Sequence, residues 1–359
     1  MKKVVIGISG GVDSSVAAYI LQKQGYEVIG LFMRNWDSSI NNDFNGNPDI
    51  NNDICPQEKD YNDAVEVCKK LNIKLHRVDF VKEYWDNVFT YFLDELKKGR
   101  TPNPDVMCNR YIKFDLFYKE AKKLGADYIA TGHYAKIIDN KLYKASDLNK
   151  DQSYFLAYVN KDIFKEVLFP LDNITKPEVR QIAQELNLIT SEKKDSTGIC
   201  FIGERNFRKF LTNYLPNQPG NIVNIDTNEI IGKHIGLMYY TIGQRRGLNL
   251  GGEHERSYVV KKDLDKTILY VANGDDNEIL YSTKAIISNF NYLTDDEFSE
   301  CCAKFRYRQK DVKSNIKKLK DGNLEITYEK TKAVTPGQIC VLYKDDLCLG
   351  GGIIEKVIE

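Results

Sequence analysis

The stretch Val4-Val5-Ile6-Gly7-Ile8-Ser9-Gly10-Gly11-Val12-Asp13-Ser14 constrains this chain more than any other. Its apolar start predicts a buried strand, and the spacing from Ser14 to Gln24 predicts a helix directly after it. Two glycines between them let the backbone approach an anion closely. Successive amides and the helix N-terminus add positive potential, and Ser9 and Ser14 add hydroxyl donors. The turn therefore reads as a phosphate site. It is not Gly-x-x-x-x-Gly-Lys-Ser/Thr, it holds no lysine, and it is not Gly-x-Gly-x-x-Gly either. Asp13 alone would repel phosphate, so its presence suggests a Mg²⁺ ion held between its carboxylate and the phosphates.

The alternation continues. Strands are expected at 27–33, 74–80 and 127–131. Helices are expected at 84–98 and 110–124, with a further helical stripe at Ala64, Val67, Cys68 and Leu71. This βαβα order implies an α/β fold with a parallel sheet covered by helices on both faces. Gly25 and Gly125 fall where helices should end, and Thr175 with Pro177 opens another helix. Residues 35–60, rich in Asn and Asp, read as a mobile surface loop, with the Asn-rich part at 41–53. A chain of 359 residues exceeds what one core usually serves. From Pro216 short strands and turns take over, with hairpin turns expected at Asp226-Thr227-Asn228, Asn273-Gly274-Asp275 and Asp321-Gly322-Asn323. The expected division is an ATP-binding catalytic domain at 1–214, a small β-rich domain at 215–280 and a β-barrel-like domain at 281–359.

Hydrophobic residues at 42% and charged ones at 28% suit a soluble globular protein. No run is long enough for a signal peptide or a membrane span, so the expected location is the cytoplasm. Eight cysteines occur without a Cys-x-x-Cys pair, which excludes zinc-ligand spacing. The net charge is zero, so nucleic acid is not attracted by the molecule as a whole. Between Lys304 and Lys320, however, eight basic residues accompany one acid, Asp311. Phe305 and Tyr307 interleave with them, as an RNA-facing strand requires.

The turn from Gly7 to Ser14 resembles the loop of ATP pyrophosphatases of the PP-loop type, which hold pyrophosphate and transfer AMP to a substrate oxygen. Two cysteines bear on that chemistry. Cys108 follows the rigid segment Pro102-Asn103-Pro104, just before a helix expected from Arg110, a position that lowers a thiol's pKa. Cys200 lies among glycines and polar residues in a segment read as a mobile loop. Either is compatible with a plain buried thiol. Together with an AMP-forming loop they suggest that a carbonyl oxygen is adenylated and then displaced by sulfur.

Several blocks in order carry a closer likeness: residues 7–14, 101–109, 130–135, 150–156, 195–205, 236–248, 305–309 and 335–355. Over essentially its whole length the chain resembles the bacterial tRNA-specific 2-thiouridylase family. That resemblance implies 2-thiolation of the wobble uridine of tRNAs for Lys, Glu and Gln, with Mg²⁺ present and ATP converted to AMP and pyrophosphate. It implies Cys200 as the persulfide carrier and Cys108 as the partner nucleophile, which either frees the sulfide or resolves the persulfide into a disulfide. Gly7, Ile8, Ser9, Gly10, Gly11, Val12, Asp13, Ser14, Met33 and Gly132 would hold ATP. Asn103, Pro104 and Asp105 would meet the flipped base. His133, Lys150, Asp151, Gln152, Arg306, Tyr307 and Gln338 would touch the tRNA anticodon stem-loop, with Gln244-Arg245-Arg246 as a further phosphate contact. The sulfur would come from a cysteine desulfurase or a persulfide carrier. Two other readings stay open: an AMP-forming ligase with a nitrogen nucleophile, and a non-catalytic nucleotide-dependent RNA-binding protein.

Overall fold

The structure is a computed structural model that describes residues 1–50, 56–195, 198–200, 202–203, 205–250 and 256–358. The first strands are β1 (Lys3–Gly7), β2 (Glu27–Arg34), β3 (Lys74–Asp79) and β4 (Tyr128–Ala130). A hairpin, β5 (Lys136–Ile138) and β6 (Lys141–Tyr143), precedes the short β7 (Val167–Leu168). One sheet has the order β3-β2-β1-β4-β7, and every neighbouring pair in it is parallel. Val4, Val5 and Ile6 are fully buried, as a central strand covered on both faces demands. The order reverses at β1, where the chain reaches β2 on one side and β4 on the other. Ile6 pairs with Ala130, so the crevice beyond the C-terminal ends of β1 and β4 is the switch point at which such sheets bind ligands.

Helix α1 (Val12–Lys23) leaves the turn, and Gly25 and Gly125 take positive φ just past helix ends. After α2 (Pro56–Leu71), the segment expected to be rigid and non-helical before Arg110 is instead helical from Pro104. Pro104 and Asp105 form the first turn of α3 (Pro104–Cys108), with Asn103 as N-cap accepting from the Val106 amide at 3.3 Å. A proline at the first helical position loses no hydrogen bond, so it starts this helix rather than blocking it. A π-helical stretch (Asn109–Leu116) follows directly. Cys108 therefore lies inside a continuous helical path, not ahead of a helix. Thr175 caps α4 (Lys176–Glu185) in a capping box with Glu178, as expected.

The Asn-rich loop differs from expectation over residues 35–50. Asn41, Asp43 and Asn47 are buried, and Asn45 and Gly46 bond to Asn213 and Asn206. Asp43 accepts from the Trp36 indole at 3.0 Å and pairs with Arg205 at 2.9 Å, both ion-pair side chains being almost fully covered. Polar composition here marks internal hydrogen bonding rather than solvation. Asn51, Asn52 and Asp53 of that loop lie outside the described residues, as do Cys55 and, around Cys200, Ser196, Thr197, Phe201 and Glu204.

A four-stranded sheet follows: β8 (Gly220–Asn224), β9 (Ile230–His234), β10 (Ser257–Asp263) and β11 (Ile268–Asn273), in the order β10-β11-β8-β9. Asp226-Thr227-Asn228 closes the β8–β9 hairpin, its amides bonded to the Asn224 side chain. Asn273-Gly274-Asp275 closes none, because β10 and β8 already occupy both edges of β11. The last strands are β12 (Tyr281–Tyr292), β13 (Glu300–Lys304), β14 (Val312–Lys318), β15 (Leu324–Lys332), β16 (Ile339–Lys344) and β17 (Leu347–Ile358). They run β12-β15-β14-β13-β16-β17, and pairing of β12 with β17 closes the barrel. The hairpin β5–β6 adds to β17 through Leu347 and Tyr143, so the first domain contributes strands to the last domain's sheet. Among the described residues no helix is long and apolar enough to cross a membrane.

Candidate active site

At the phosphate end, Gly10 adopts φ +73°, and a Cβ there would lie 2.2 Å from the Asp60 carbonyl oxygen. Only glycine fits that position. The Ser9 amide donates to the Ser14 hydroxyl at 3.2 Å, and Ser14 donates to the Gly11 carbonyl at 3.1 Å. Ile8 and Val12 are buried and anchor the turn on both sides. Gly132 approaches from β4: a Cβ on it would meet the Ser14 amide nitrogen at 2.9 Å. Met33, at the end of β2, is buried with its methyl 3.5 Å from the place a Gly7 Cβ would take.

The cations missing from the turn come from far along the chain. Lys193 Nζ donates to the Gly10 carbonyl at 2.9 Å and pairs with Asp60 at 2.7 Å and Asp63 at 2.5 Å. Lys176 Nζ lies 2.6 Å from Asp13 and 2.8 Å from Asp195. The Tyr134 hydroxyl donates to the same Asp13 oxygen at 2.8 Å. Asp195 also pairs with Lys150 at 2.7 Å and Arg180 at 2.9 Å. Burial works against its charge, but the Lys150 and Lys176 ammoniums hold its carboxyl down at about 2. Asp13 thus has a cation partner already. Among the described residues no cluster of three or more His, Cys, Asp or Glu side chains is fit to cage a metal. A single carboxylate beside a phosphate turn suits Mg²⁺ that takes its other ligands from phosphate and water.

At the sulfur end, Cys108 Sγ and Cys200 Sγ are 3.8 Å apart. Cys200 sits on a tight turn in which Ile199 bridges to Gly203. Its amide donates to Asp105 at 2.9 Å, and its carbonyl accepts from the buried Tyr84 hydroxyl at 2.7 Å. Burial and then the neighbouring Cys200 sulfur push the Cys108 thiol well above its ordinary range. Cys200 moves the other way: the hydrogen bond from Cys108 lowers it most, burial opposes, and Lys113 lowers it further. The expectation of a depressed pKa at Cys108 is thereby corrected. Its sulfur lies inside a helix and among core residues, and Arg110 stacks on Tyr111 and Tyr158 instead. The low-pKa thiol is Cys200.

Asn103, Pro104 and Asp105 line a cleft of ≈ 260 Å³ together with Gly198, Ile199 and Met238. Gln338 donates to the carbonyl of Thr101, one of the lining residues, at 2.8 Å. Arg306 donates to the carbonyls of Ile242 and Ala333 and to the Thr335 hydroxyl, and Tyr307 packs on Phe155 with ring centres 4.4 Å apart. The structure so places Arg306, Tyr307 and Gln338 at contacts between domains. His133 is buried between Phe114 and Phe169, with Nδ1 2.8 Å from the Thr131 hydroxyl. Burial, then the Lys113 charge, puts its pKa well below the usual histidine value. Asp151 accepts from the Ala145 and Ser153 amides, and Gln152 accepts from the Tyr134 amide. Lys150 thus pairs with Asp195 and Gln152 holds the backbone of Tyr134, while Asp151 is held by local amides. Lys113, Lys176, Lys193, Tyr134 and Met238 were not singled out by sequence. Only Lys176 had a signal, its place one residue after the Thr175 cap.

The family described as tRNA methyl transferase HUP domain matches residues 2–204, that described as tRNA methyl transferase PRC-barrel domain matches 208–273, and an aminomethyltransferase beta-barrel domain matches 282–354. The tRNA-specific 2-thiouridylase MnmA of Mycoplasma capricolum subsp. capricolum is 60% identical to this chain, with 100% of each chain covered. The proteins of the same name from Mesoplasma florum and Mycoplasma mycoides subsp. mycoides SC are 59% and 58% identical, covering 99% and 100% of each chain. This chain belongs to the tRNA-specific 2-thiouridylase family.

Proposed function

We infer that this chain is a tRNA-uridine 2-sulfurtransferase, converting the wobble uridine of tRNA to 2-thiouridine with ATP. The observation that carries the reading is a free cysteine pair, 3.8 Å apart, beside the cleft that Asn103, Pro104 and Asp105 line, in a chain that also carries the phosphate turn. Two adjacent residues of one loop link the halves: Gly132 touches the turn, and His133 lies near Lys113 of the sulfur end.

ATP binds with its phosphates on the amides from Ser9 to Ser14 and its base toward Met33. Lys176 and Lys193 offset the phosphate charge, and Asp13 is the residue that would hold Mg²⁺, which when bound draws charge from the pyrophosphate as it leaves. The uracil enters the cleft beside Asn103 and Asp105, and its O2 attacks the α-phosphate, giving the adenylate and pyrophosphate. Cys200, as thiolate, attacks the outer sulfur of a persulfide on a cysteine desulfurase or sulfur carrier. The donor leaves as a thiolate and Cys200 keeps the outer sulfur. That sulfur reaches C2 of the base and AMP departs. Cys108 then attacks the inner sulfur of the persulfide, or displaces the sulfide before transfer. A disulfide needs a bond of about 2.05 Å, so the pair moves together by roughly 2 Å.

The division at 1–214, 215–280 and 281–359 assigns adenylation and sulfur transfer to the first unit and tRNA gripping to the barrel. The exposed lysines of β14, Lys313, Lys317 and Lys318, offer phosphate contacts there. The reaction is placed in the cytoplasm, where tRNA and reductant are available. Mass spectrometry of tRNA after incubation with ATP and a persulfide donor tests the reading. Sulfur is expected to replace oxygen at the wobble uridine, with pyrophosphate released. Pyrophosphate release without sulfur in the tRNA would overturn it in favour of an AMP-forming ligase with a nitrogen nucleophile, and a Cys200→Ser variant that still forms full 2-thiouridine would remove the Cys200 persulfide from the route.

A further inference from the structure

The link between the helix Thr90–Lys97 and α3 is held from outside itself. Pro102 and Pro104 have no amide hydrogen to donate, so the link depends on what fastens Gly99, Arg100 and Thr101. Most of the fastening comes from the barrel. Thr101 donates its amide to the Pro336 carbonyl at 2.9 Å, and its own carbonyl accepts from Gln338 at 2.8 Å. The two backbones meet directly: a Cβ on Gly337 would lie 2.8 Å from the Thr101 nitrogen. From the central sheet, Lys262 donates to the Gly99 carbonyl at 2.9 Å. Arg100 adds an ion pair. Its guanidinium takes both oxygens of Glu355 on β17, at 2.9 and 3.1 Å, and its Nε pairs with Glu95 at 2.9 Å. Such a forked pair fixes direction as well as distance. Glu95 belongs to the helix Thr90–Lys97, whose Phe92 and Leu96 line the same cleft as Asn103, Pro104 and Asp105.

One guanidinium therefore joins two walls of the cleft to the barrel. Just beyond Arg100 the chain reaches Asn103, and Asp105 accepts from the Cys200 amide at 2.9 Å. We propose that Arg100 is a positioning residue: paired with Glu355, it sets the turn Asn103-Pro104-Asp105 against the barrel, so that the base of a tRNA held there meets Cys200 in register. This rests on the uracil entering beside Asn103 and Asp105, and on the barrel as the tRNA grip. In this role Arg100 touches neither ATP nor the base and acts through the backbone that follows it. A displacement of about 1 Å at the reacting groups can cost about 100-fold in rate, while the barrel's hold on the tRNA stem is left as it was. Glu355 is exposed, so its removal disturbs the register without opening a cavity in the core. Arg100 then keeps Glu95 as its counter-ion.

The test uses the full chain with ATP, a persulfide donor and tRNA, following 2-thiouridine by mass spectrometry. Glu355→Ala is expected to lower kcat by about tenfold while KM for tRNA stays within about threefold of wild type. Glu355→Gln keeps the length and one accepting oxygen, and its kcat is expected within about threefold of wild type. Arg100→Lys keeps the charge beside Glu95 but cannot fork. It is expected to lower kcat as Glu355→Ala does, and the double variant no further than either single one. A rise in KM at unchanged kcat would make Glu355 part of the tRNA grip and overturn the proposal, as would losses that multiply in the double variant. Deuterium uptake over residues 101–108, measured without tRNA, separates this role from the thiolation reading. Faster uptake is expected in Glu355→Ala, and uptake equal to wild type overturns the proposal even where Arg100→Lys fails to fold. A wild type that makes no 2-thiouridine, with uptake still raised in Glu355→Ala, sinks the thiolation reading and leaves the clamp on the turn.

Discussion

The two ends of the active site are built in opposite ways. At the phosphate end Asp195 has three cation partners, Lys150, Lys176 and Arg180, and Lys193 has two carboxylates and a carbonyl. Apart from the buried Lys176 these groups are partly exposed, and Asp195 and Lys193 each have more than one partner. At the sulfur end the support is a buried series of contacts that runs through single residues. Asp43 holds Arg205, Trp36 bonds Asp43 and packs its ring edge-on against Tyr84, and the Tyr84 hydroxyl holds the Cys200 carbonyl. Redundant charge suits a site that must accept and release a polyanion. A serial, buried chain suits a thiol pair whose spacing must be kept.

The contrast predicts where a single substitution does most damage. Asp43→Ala takes the nearer carboxylate from buried Arg205 and leaves Asp49 at 4.0 Å, and breaking a buried pair costs up to roughly 3–5 kcal/mol. The expected result is a denaturation midpoint lowered accordingly, with faster labelling of Cys200 as its turn loosens. An Asp43→Ala protein as stable as wild type would show that the loop at 35–50 is not part of the sulfur end's support.

Such dependence on the loop was not legible in the sequence. Residues 35–50 looked like solvated filler because Asn and Asp usually mark turns, and nothing local shows that Asp43 faces an arginine more than 160 positions away. The phosphate turn was legible because every part of it is contiguous: a strand, two glycines and a helix start within eleven residues. Its lysines were not, since Lys176 and Lys193 reach it only after the sheet has brought α4 beneath the turn. The cysteines illustrate both cases. Their pairing was inferred from the chemistry that an adenylate needs. Which of them is the acidic thiol depended on the hydrogen bond between the two sulfurs and on burial, and a proline taken as a helix breaker pointed to the wrong one.

The phosphate end yields the next effect, smaller in stability and larger in turnover. Lys176→Met leaves Asp195 with Lys150 and Arg180, and Asp13 with the Tyr134 hydroxyl. Stability is expected to fall by about 1–2 kcal/mol, because Lys176 is buried while both its carboxylate partners are about one-third exposed and keep other partners. If Lys176 offsets phosphate charge as proposed, pyrophosphate release with tRNA should drop about tenfold or more, with Lys193 left as the second cation. The opposite pattern, a large loss of stability with turnover intact, would make Lys176 a structural strut and erase the contrast between the two ends.

His133 joins the two ends, and its effect is the smallest. Buried between Phe114 and Phe169, with its folded pKa pushed well below 6.5, it stays neutral where an unfolded histidine would take up a proton. Above about pH 6.5 neither state is protonated and His133 gives no pH dependence. Below that value the unfolded chain binds a proton that the folded chain does not, so stability falls as pH falls toward the folded pKa. His133→Phe keeps the ring packing and removes the titration. It also leaves the Thr131 hydroxyl without that partner, a constant loss of roughly 1 kcal/mol. Denaturant midpoints for the two proteins should therefore run parallel from pH 8 to 7 and converge below about 6.5, as the wild type loses stability faster. Curves that remain parallel down to pH 5 would mean that His133 is protonated in the folded state. It would then be a second cation beside Lys113, and the sulfur end would be less sparing of charge than its geometry indicates.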